Sequence, residues 1–144
     1  MIQIICVGKL KEKYLKDAVD DYTKRINKYH KIQIVEMNEE KTIEIEGEKI
    51  LQKVKDDYVI VLDIGGEMPD SVNFSHIIEK TFIFNSKITF IIGSSLGLSK
   101  DVKNRANKLI SFSKMTFPHG LFRIILLEQI YRSFKIINNE QYHK

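Results

Sequence analysis

The sequence has a single cysteine, Cys6, so no disulfide can close within the chain, and a reducing compartment is expected. Cys6 sits in an apolar run and reads as a small core residue, not a nucleophile or ligand. The four histidines, His30, His76, His119 and His143, are dispersed and make no zinc spacing, so no metal is expected. No apolar stretch approaches the ~18 residues needed to cross a bilayer, and the N-terminus opens into a strand pattern instead of a signal peptide. A cytoplasmic location with no membrane association follows as an expectation. The first strand–helix turn, Val7-Gly8-Lys9-Leu10-Lys11, lacks the three glycines of a dinucleotide fingerprint, and there is no Walker sequence and no nucleophile elbow. Internal repeats, low-complexity tracts and linkers are also absent.

What is present suits one domain spanning residues 1–144, because 43% hydrophobic residues in a chain of this length can build one substantial core. Lysine and arginine outnumber aspartate and glutamate by 23 to 19, a net charge of +4. The isoelectric point near 9.0 tilts the odds toward a polyanionic partner.

Ile2 to Val7 is apolar apart from Gln3 and predicts a strand covered on both faces. Leu15, Ala18, Tyr22, Ile26 and Tyr29 recur at spacings of three and four, predicting an amphipathic helix within Lys11 to Tyr29. Ile32 to Met37 predicts a second strand. Glu39 to Glu48 is charged and poorly patterned, suited to a loop, while Ile43, Gly47, Ile50, Leu51 and Val54 suggest a helix running to about Lys55. Tyr58 to Ile64 predicts a third strand, closed by Gly65-Gly66. A helix capped by Asp70 or Ser71 follows to about Asn85. Lys87 to Ile92 predicts a fourth strand, Ser99 caps a helix to about Asn107, and Leu109 to Phe112 predicts a fifth. Strands alternating with helices indicate an α/β domain with a mainly parallel sheet of five to six strands. Ligands in such sheets bind beyond the carboxyl ends of the strands, which selects the loops after Leu62, Ile92 and Phe112.

The last 34 residues, Ser111 to Lys144, concentrate the chemistry. Pro118 suits a helix start. The helix after it, from Leu121 to Ile137, is apolar around most of its circumference, more than one sheet face can cover, so a second copy of the chain is expected against it. Within it stand Arg123, Glu128 and Arg132. Glu128 and Arg132 can pair at i, i+4 as a structural ion pair, while an arginine near the ligand loops could hold a phosphate or a base. The tail ends in Tyr142, His143 and Lys144, which can stack on a base, exchange a proton and contact a phosphate.

The segments IIGSSLGL and SFSKMTFPHGLFRIILLEQIYR and the ending YHK, together with VGKLKEKY and VLDIGG, resemble the RlmH-type large-subunit ribosomal RNA methyltransferases of the SPOUT class. The resemblance implies a single-domain α/β fold with a trefoil knot. It also implies transfer of a methyl group from S-adenosyl-L-methionine to N3 of a pseudouridine in a stem-loop of 23S ribosomal RNA, on the assembled ribosome, by a homodimer. Carried over by position, cofactor contacts fall on Leu62, Gly93, Phe112, Ser113, Lys114, Met115, Thr116 and Phe117, and catalytic positions on Tyr142 and His143, completing the partner's pocket. In that reading His143 accepts the proton or orients the base, Tyr142 stacks, and Arg123 and Arg132 anchor RNA or stabilise negative charge on the ring.

Three positions depart from the family's usual pattern: Ser94 beside Gly93, Gly120 and Gln141. Gly120 is expected to loosen the start of the last helix. An RNA-binding module without catalysis and a small-molecule nucleotide enzyme are the competing classes. If Lys9, Lys11, Lys13 and Lys114 contact phosphates, RNA affinity falls with salt at a log–log slope of roughly 0.7 to 0.9 per contact; a flat titration would leave these lysines without that role.

Overall fold

The computed structural model describes residues 1–144. Five strands, β1 (Ile2–Val7), β2 (Ile32–Met37), β3 (Tyr58–Glu67), β4 (Ile88–Ile92) and β5 (Lys108–Ile110), alternate with five helices, α1 (Lys13–Asn27), α2 (Ile43–Lys53), α3 (Ser71–Phe84), α4 (Lys100–Arg105) and α5 (His119–Ile137). The sheet has the order β2-β1-β4-β3-β5, and every pairing is parallel.

Side chains alternate across the pleat and divide the core in two. Ile2, Ile4 and Cys6 of β1, with Ile88, Phe90 and Ile92 of β4, meet Ile26 of α1, Phe74 and Ile78 of α3, and Leu126, Leu127 and Ile130 of α5. Ile5, Val7, Val59, Val61 and Ile91 face the other way, onto Ile50 of α2 and Val102 of α4. Burial pushes the Cys6 thiol up to about 12, so it is inert core packing. Gln3 is tolerated in its apolar strand because a polar row crosses the sheet at its level. Gln33 donates to Gln3 at 2.7 Å, Gln3 to Thr89 at 3.4 Å, and Thr89 to Asp57 at 2.8 Å.

Helix starts are set where capping chemistry allows. The Asp70 carboxylate accepts from Asn73 N at 2.7 Å, and the Ser99 hydroxyl accepts from Val102 N at 3.3 Å. Thr42 caps α2 in the same way, so helix begins inside the stretch expected to be a loop over Glu39–Glu48.

The glycine pair Gly65-Gly66 does not close β3. Ile110 pairs with both Leu62 and Glu67, so residues 63–66 are looped out and the strand resumes. A Cβ at Gly66 would lie 2.6 Å from backbone atoms of Leu109 and Ile110; the glycine is there so that two main chains can touch. Because of this bulge β5 ends at Ile110, two residues before the expected Phe112.

The helix α5 lies between α1 and α3 against the sheet. Its first turn is fastened by Arg123, whose side chain is only 3% exposed. Nη1 donates to Glu36 of β2 at 2.6 Å, and Nη2 to the Gly8 carbonyl at the end of β1 at 3.2 Å. Glu36 also accepts from Leu10 N at 3.0 Å. Gly120, expected to loosen this helix start, packs there against Leu10 and Leu15. A Cβ there would come within 2.9 Å of Leu15 and 3.1 Å of Leu10, so the glycine lets α5 pack closely on the β1–α1 connection.

Partial burial works to raise the Glu36 pKa, but the Leu10 amide and the Arg123 guanidinium outweigh it and hold the carboxyl below its ordinary range. A depressed carboxyl contributes stability above its unfolded pKa and loses it as pH falls through the folded value. Resistance to urea should therefore weaken as pH falls below the ordinary carboxylate range, and Glu36→Gln should remove that component and cost about 1–3 kcal/mol at neutral pH by orphaning a buried guanidinium. An unchanged midpoint at neutral pH would mean that the pair contributes nothing. Gly66→Ala should cost at least about 2 kcal/mol in the same assay, since the backbone it meets has no freedom to yield.

Candidate active site

The carboxyl ends of the strands form one rim, and the N-terminus of α5 divides it into two clefts. Over β3, β4 and β5 lies a cavity of about 670 Å³ whose walls include Leu62, Ile64, Ile92, Gly93, Leu98, Thr116, Phe117 and Phe122. A smaller pocket of about 150 Å³ adjoins it through Leu62, Thr116, Phe117 and Phe122 and adds Phe112, Ser113 and Met115. Thus seven of the eight residues expected to contact the cofactor, from Leu62 to Phe117, line two connected hollows. Lys114 lines neither; it stands exposed on the same loop.

The loop after β4 is a tight turn. Gly97 N donates to the Ser94 carbonyl at 2.9 Å, and Gly97 takes φ +85°, which favours glycine. The Ser94 hydroxyl accepts from Leu96 N at 3.3 Å, so the serine found in place of the family's usual glycine adds a bond to the turn. At Gly93 a Cβ would lie 2.7 Å from Leu98 and 2.9 Å from the Gly97 carbonyl, so no side chain fits. His119 Nδ1 is 3.3 Å from the Gly93 carbonyl and joins this loop to the start of α5.

The loop after β5 is built differently. Among the peptide N–H groups of residues 112–117 only that of Met115 finds a partner in the chain, the Ser113 hydroxyl at 2.9 Å. The cavity is thus lined largely by apolar side chains and edged by free peptide groups, the composition of a small-molecule pocket.

The expected catalytic residues are not gathered at this cleft. Arg123, expected to anchor RNA beside the ligand loops, is bound within the chain to Glu36 and Gly8 and lines the cleft on the other side of the α5 N-terminus. Arg132, Tyr142 and His143 do come together, but at the far end of α5, roughly 15 Å beyond Phe122 at 1.5 Å per residue. Arg132 pairs with Glu128 at 2.6 Å, its Nη1 is 3.1 Å from His143 Nδ1, and its guanidinium carbon stands 4.8 Å from the Tyr142 ring centroid. The hydrogen bond that Arg132 donates to the Glu128 carboxylate raises the Arg132 pKa, while burial, reinforced by the charge of Glu128, raises that of Tyr142. The tail is fastened to its own chain: Tyr142 packs edge-on against Tyr131, and Glu140 accepts from Tyr29 at 2.9 Å and Lys135 at 2.9 Å.

Sequence reasoning did not single out Ile64, Leu98 and Phe122 as cleft residues. Ile64 was hidden because the glycines after it read as a strand stop; Phe122 could have been found from its place one turn beyond Pro118. Nothing in the sequence pattern pairs Tyr29 with Glu140, which are 111 positions apart. No three metal-ligating side chains converge, and no helix is long and apolar enough to cross a membrane.

A family model described as "Predicted SPOUT methyltransferase" matches residues 1–143. The chain is 54% identical to the ribosomal RNA large subunit methyltransferase H of Clostridium novyi, with 99% of each chain covered. It is 52% identical to the protein of the same description from Clostridium acetobutylicum, again over 99% of both. Among solved structures, a probable methylase family protein from Haemophilus influenzae Rd KW20 superposes with a TM-score of 0.57 at 13% identity, covering 99% of this chain and 70% of that one, which supports the fold alone. With the family model spanning nearly every residue and relatives above half identity along their whole length, the chain belongs to the SPOUT methyltransferase family, as a member of its RlmH type.

Proposed function

We propose that this protein methylates N3 of a pseudouridine in 23S ribosomal RNA within the assembled ribosome, in the cytoplasm, as a homodimer that uses S-adenosyl-L-methionine. The observation that carries this reading is the division of labour along α5. The loops after β3, β4 and β5 form one apolar cleft at its N-terminal end, while Arg132, Tyr142 and His143 assemble at its C-terminal end, out of reach of that cleft. A second copy packed across α5 would bring one protomer's tail to the other's cleft. The half-buried Ile124, Ile125, Ile136 and Ile137 leave apolar surface on α5 for such a contact. This reading includes a trefoil knot in the chain between the Gly93 loop and the Phe112 loop.

The cleft suits the donor on chemical grounds: apolar walls for adenine, and the unpaired peptide groups of residues 112–117 for its edge. S-adenosyl-L-methionine supplies a methyl group already activated on a sulfonium, so the chain's residues have only to align a nitrogen with it and remove one proton. Leu62, Gly93 and Phe112 to Phe117 bind and orient the donor and exclude water. Tyr142 stacks on the target base, and the His143 imidazole takes the N3 proton or holds the base in register. Arg132, held by Glu128, stabilises negative charge on the ring as the proton leaves. Arg123 is a positioning residue: it fixes the first turn of α5 and thereby His119 against Gly93.

Deleting Tyr142 to Lys144 should leave donor affinity by calorimetry within about threefold and lower methyl transfer to ribosomes by about 100-fold or more. Mixing that truncated chain with Gly93→Val, each inactive alone, should restore about a quarter of full activity, because half of the random dimers are mixed and each mixed dimer has one intact composite site. No recovery on mixing would place the tail's action in its own protomer, and full turnover by the truncated chain would remove the tail from the mechanism.

A further inference from the structure

On the other side of the α5 N-terminus, above the ends of β1 and β2, lies a second cleft of about 630 Å³. Four features of it are unused by the structure. Tyr14, in the first turn of α1, is 71% exposed, and its ring takes part in none of the aromatic pairs and its hydroxyl in no hydrogen bond. Lys9 and Lys11 line the cleft without an ion-pair partner, unlike Lys13, which is held by Asp17 at 2.9 Å. Pro118 offers no side-chain cap, so the first N–H groups of the 19-residue α5 reach the cleft unsatisfied. Arg123 forms part of its floor, almost wholly buried, with Nε lacking any partner. The same cleft also carries the carboxylates of Glu12 and Glu39, neither of them paired. Two free lysines and a helix N-terminus only modestly outweigh two carboxylates, so bulk attraction of anions cannot be the main source of affinity. The exposed aromatic ring supplies what charge does not, since a base stacks on an aromatic face whatever the sequence.

Position decides the occupant. Pro118 and His119 belong to the walls of both clefts, so a strand whose target base reaches the mouth of the first cleft continues past the N-terminus of α5 toward this second hollow. We propose that the cleft above β1 and β2 binds a nucleotide flanking the target in a single-stranded stretch of RNA, its base stacked on Tyr14 and its phosphate held between Lys9, Lys11 and the N-terminus of α5. The proposal rests on the methyltransferase reading for the identity of the strand, and on its own geometry for the site. Glu12 and Glu39 confine the phosphate to the lysine side of the cleft.

The chain has no tryptophan, so Tyr14→Trp creates a single reporter at the proposed stacking position. The full-length Tyr14→Trp protein is titrated with a single-stranded oligouridylate of about eight nucleotides, long enough to span both clefts. Saturable quenching of Trp fluorescence is expected. In the unlabelled protein, Tyr14→Ala should weaken binding of the same oligonucleotide about 5- to 100-fold, with Tyr14→Phe retaining it. Lys9→Gln and Lys11→Gln should each lower the log–log salt slope by about 0.7. Binding without quenching, no binding at all, or equal affinity of Tyr14→Ala would each overturn the site. Reduced methylation of ribosomes by Tyr14→Ala with unchanged oligonucleotide affinity would also overturn it, in favour of a protein contact. Calorimetry with S-adenosyl-L-methionine separates the two readings: quenching without donor binding sinks the methyltransferase reading alone, and donor binding with transfer but no quenching sinks this cleft alone.

Discussion

One buried guanidinium sets the geometry of the rim. Arg123 joins three pieces of chain that are distant in sequence: the end of β1 through the Gly8 carbonyl, β2 through Glu36, and α5 itself. A charge so fully buried is tolerable only if it is paired and hydrogen-bonded, and removing either partner exposes the full desolvation cost. The pair therefore fixes where α5 begins, and with it the wall that separates the two clefts. Gly120 serves the same end from the other side, since a side chain there would have to displace the Leu10 and Leu15 methyls that pack on it.

The sheet, the helices and most of their caps were legible because each rests on a local rule. Apolar runs gave β1 and β4, spacings of three and four gave α1, and Asp70 and Ser99 cap the helices that follow them. The three loops of the cleft were legible for a global reason, because a parallel sheet gathers its carboxyl ends on one edge. What failed was anything that depends on which direction a side chain takes. Helical spacing puts Arg123 one turn from His119 but does not say that it points under Gly8. The pair Gly65-Gly66 read as a stop, since a glycine that ends a strand and one that lets two backbones touch look alike until the neighbouring strand is known.

The tail raises a different physical issue. Tyr142 lies on Tyr131, Arg132 spans Glu128 and His143, and Glu140 is held by Tyr29 and Lys135. Most of these contacts are half-buried or exposed and individually weak, and together they hold three side chains against the end of α5. Under the proposed reading the tail is preorganised on the helix that carries it. A dimer partner then receives a shaped group of residues and not a disordered strand, so less ordering entropy opposes the encounter.

The α5 N-terminus is where these constraints meet. A helix start without a side-chain cap, placed between two clefts, leaves its first N–H groups for whatever occupies the rim. On one side it touches the Gly93 loop through His119, and on the other it faces Lys9, Lys11 and the bare ring of Tyr14. Pro118 starts the helix without supplying a cap, so one residue both sets where the wall between the clefts stands and leaves the first N–H groups of α5 unpaired beside them.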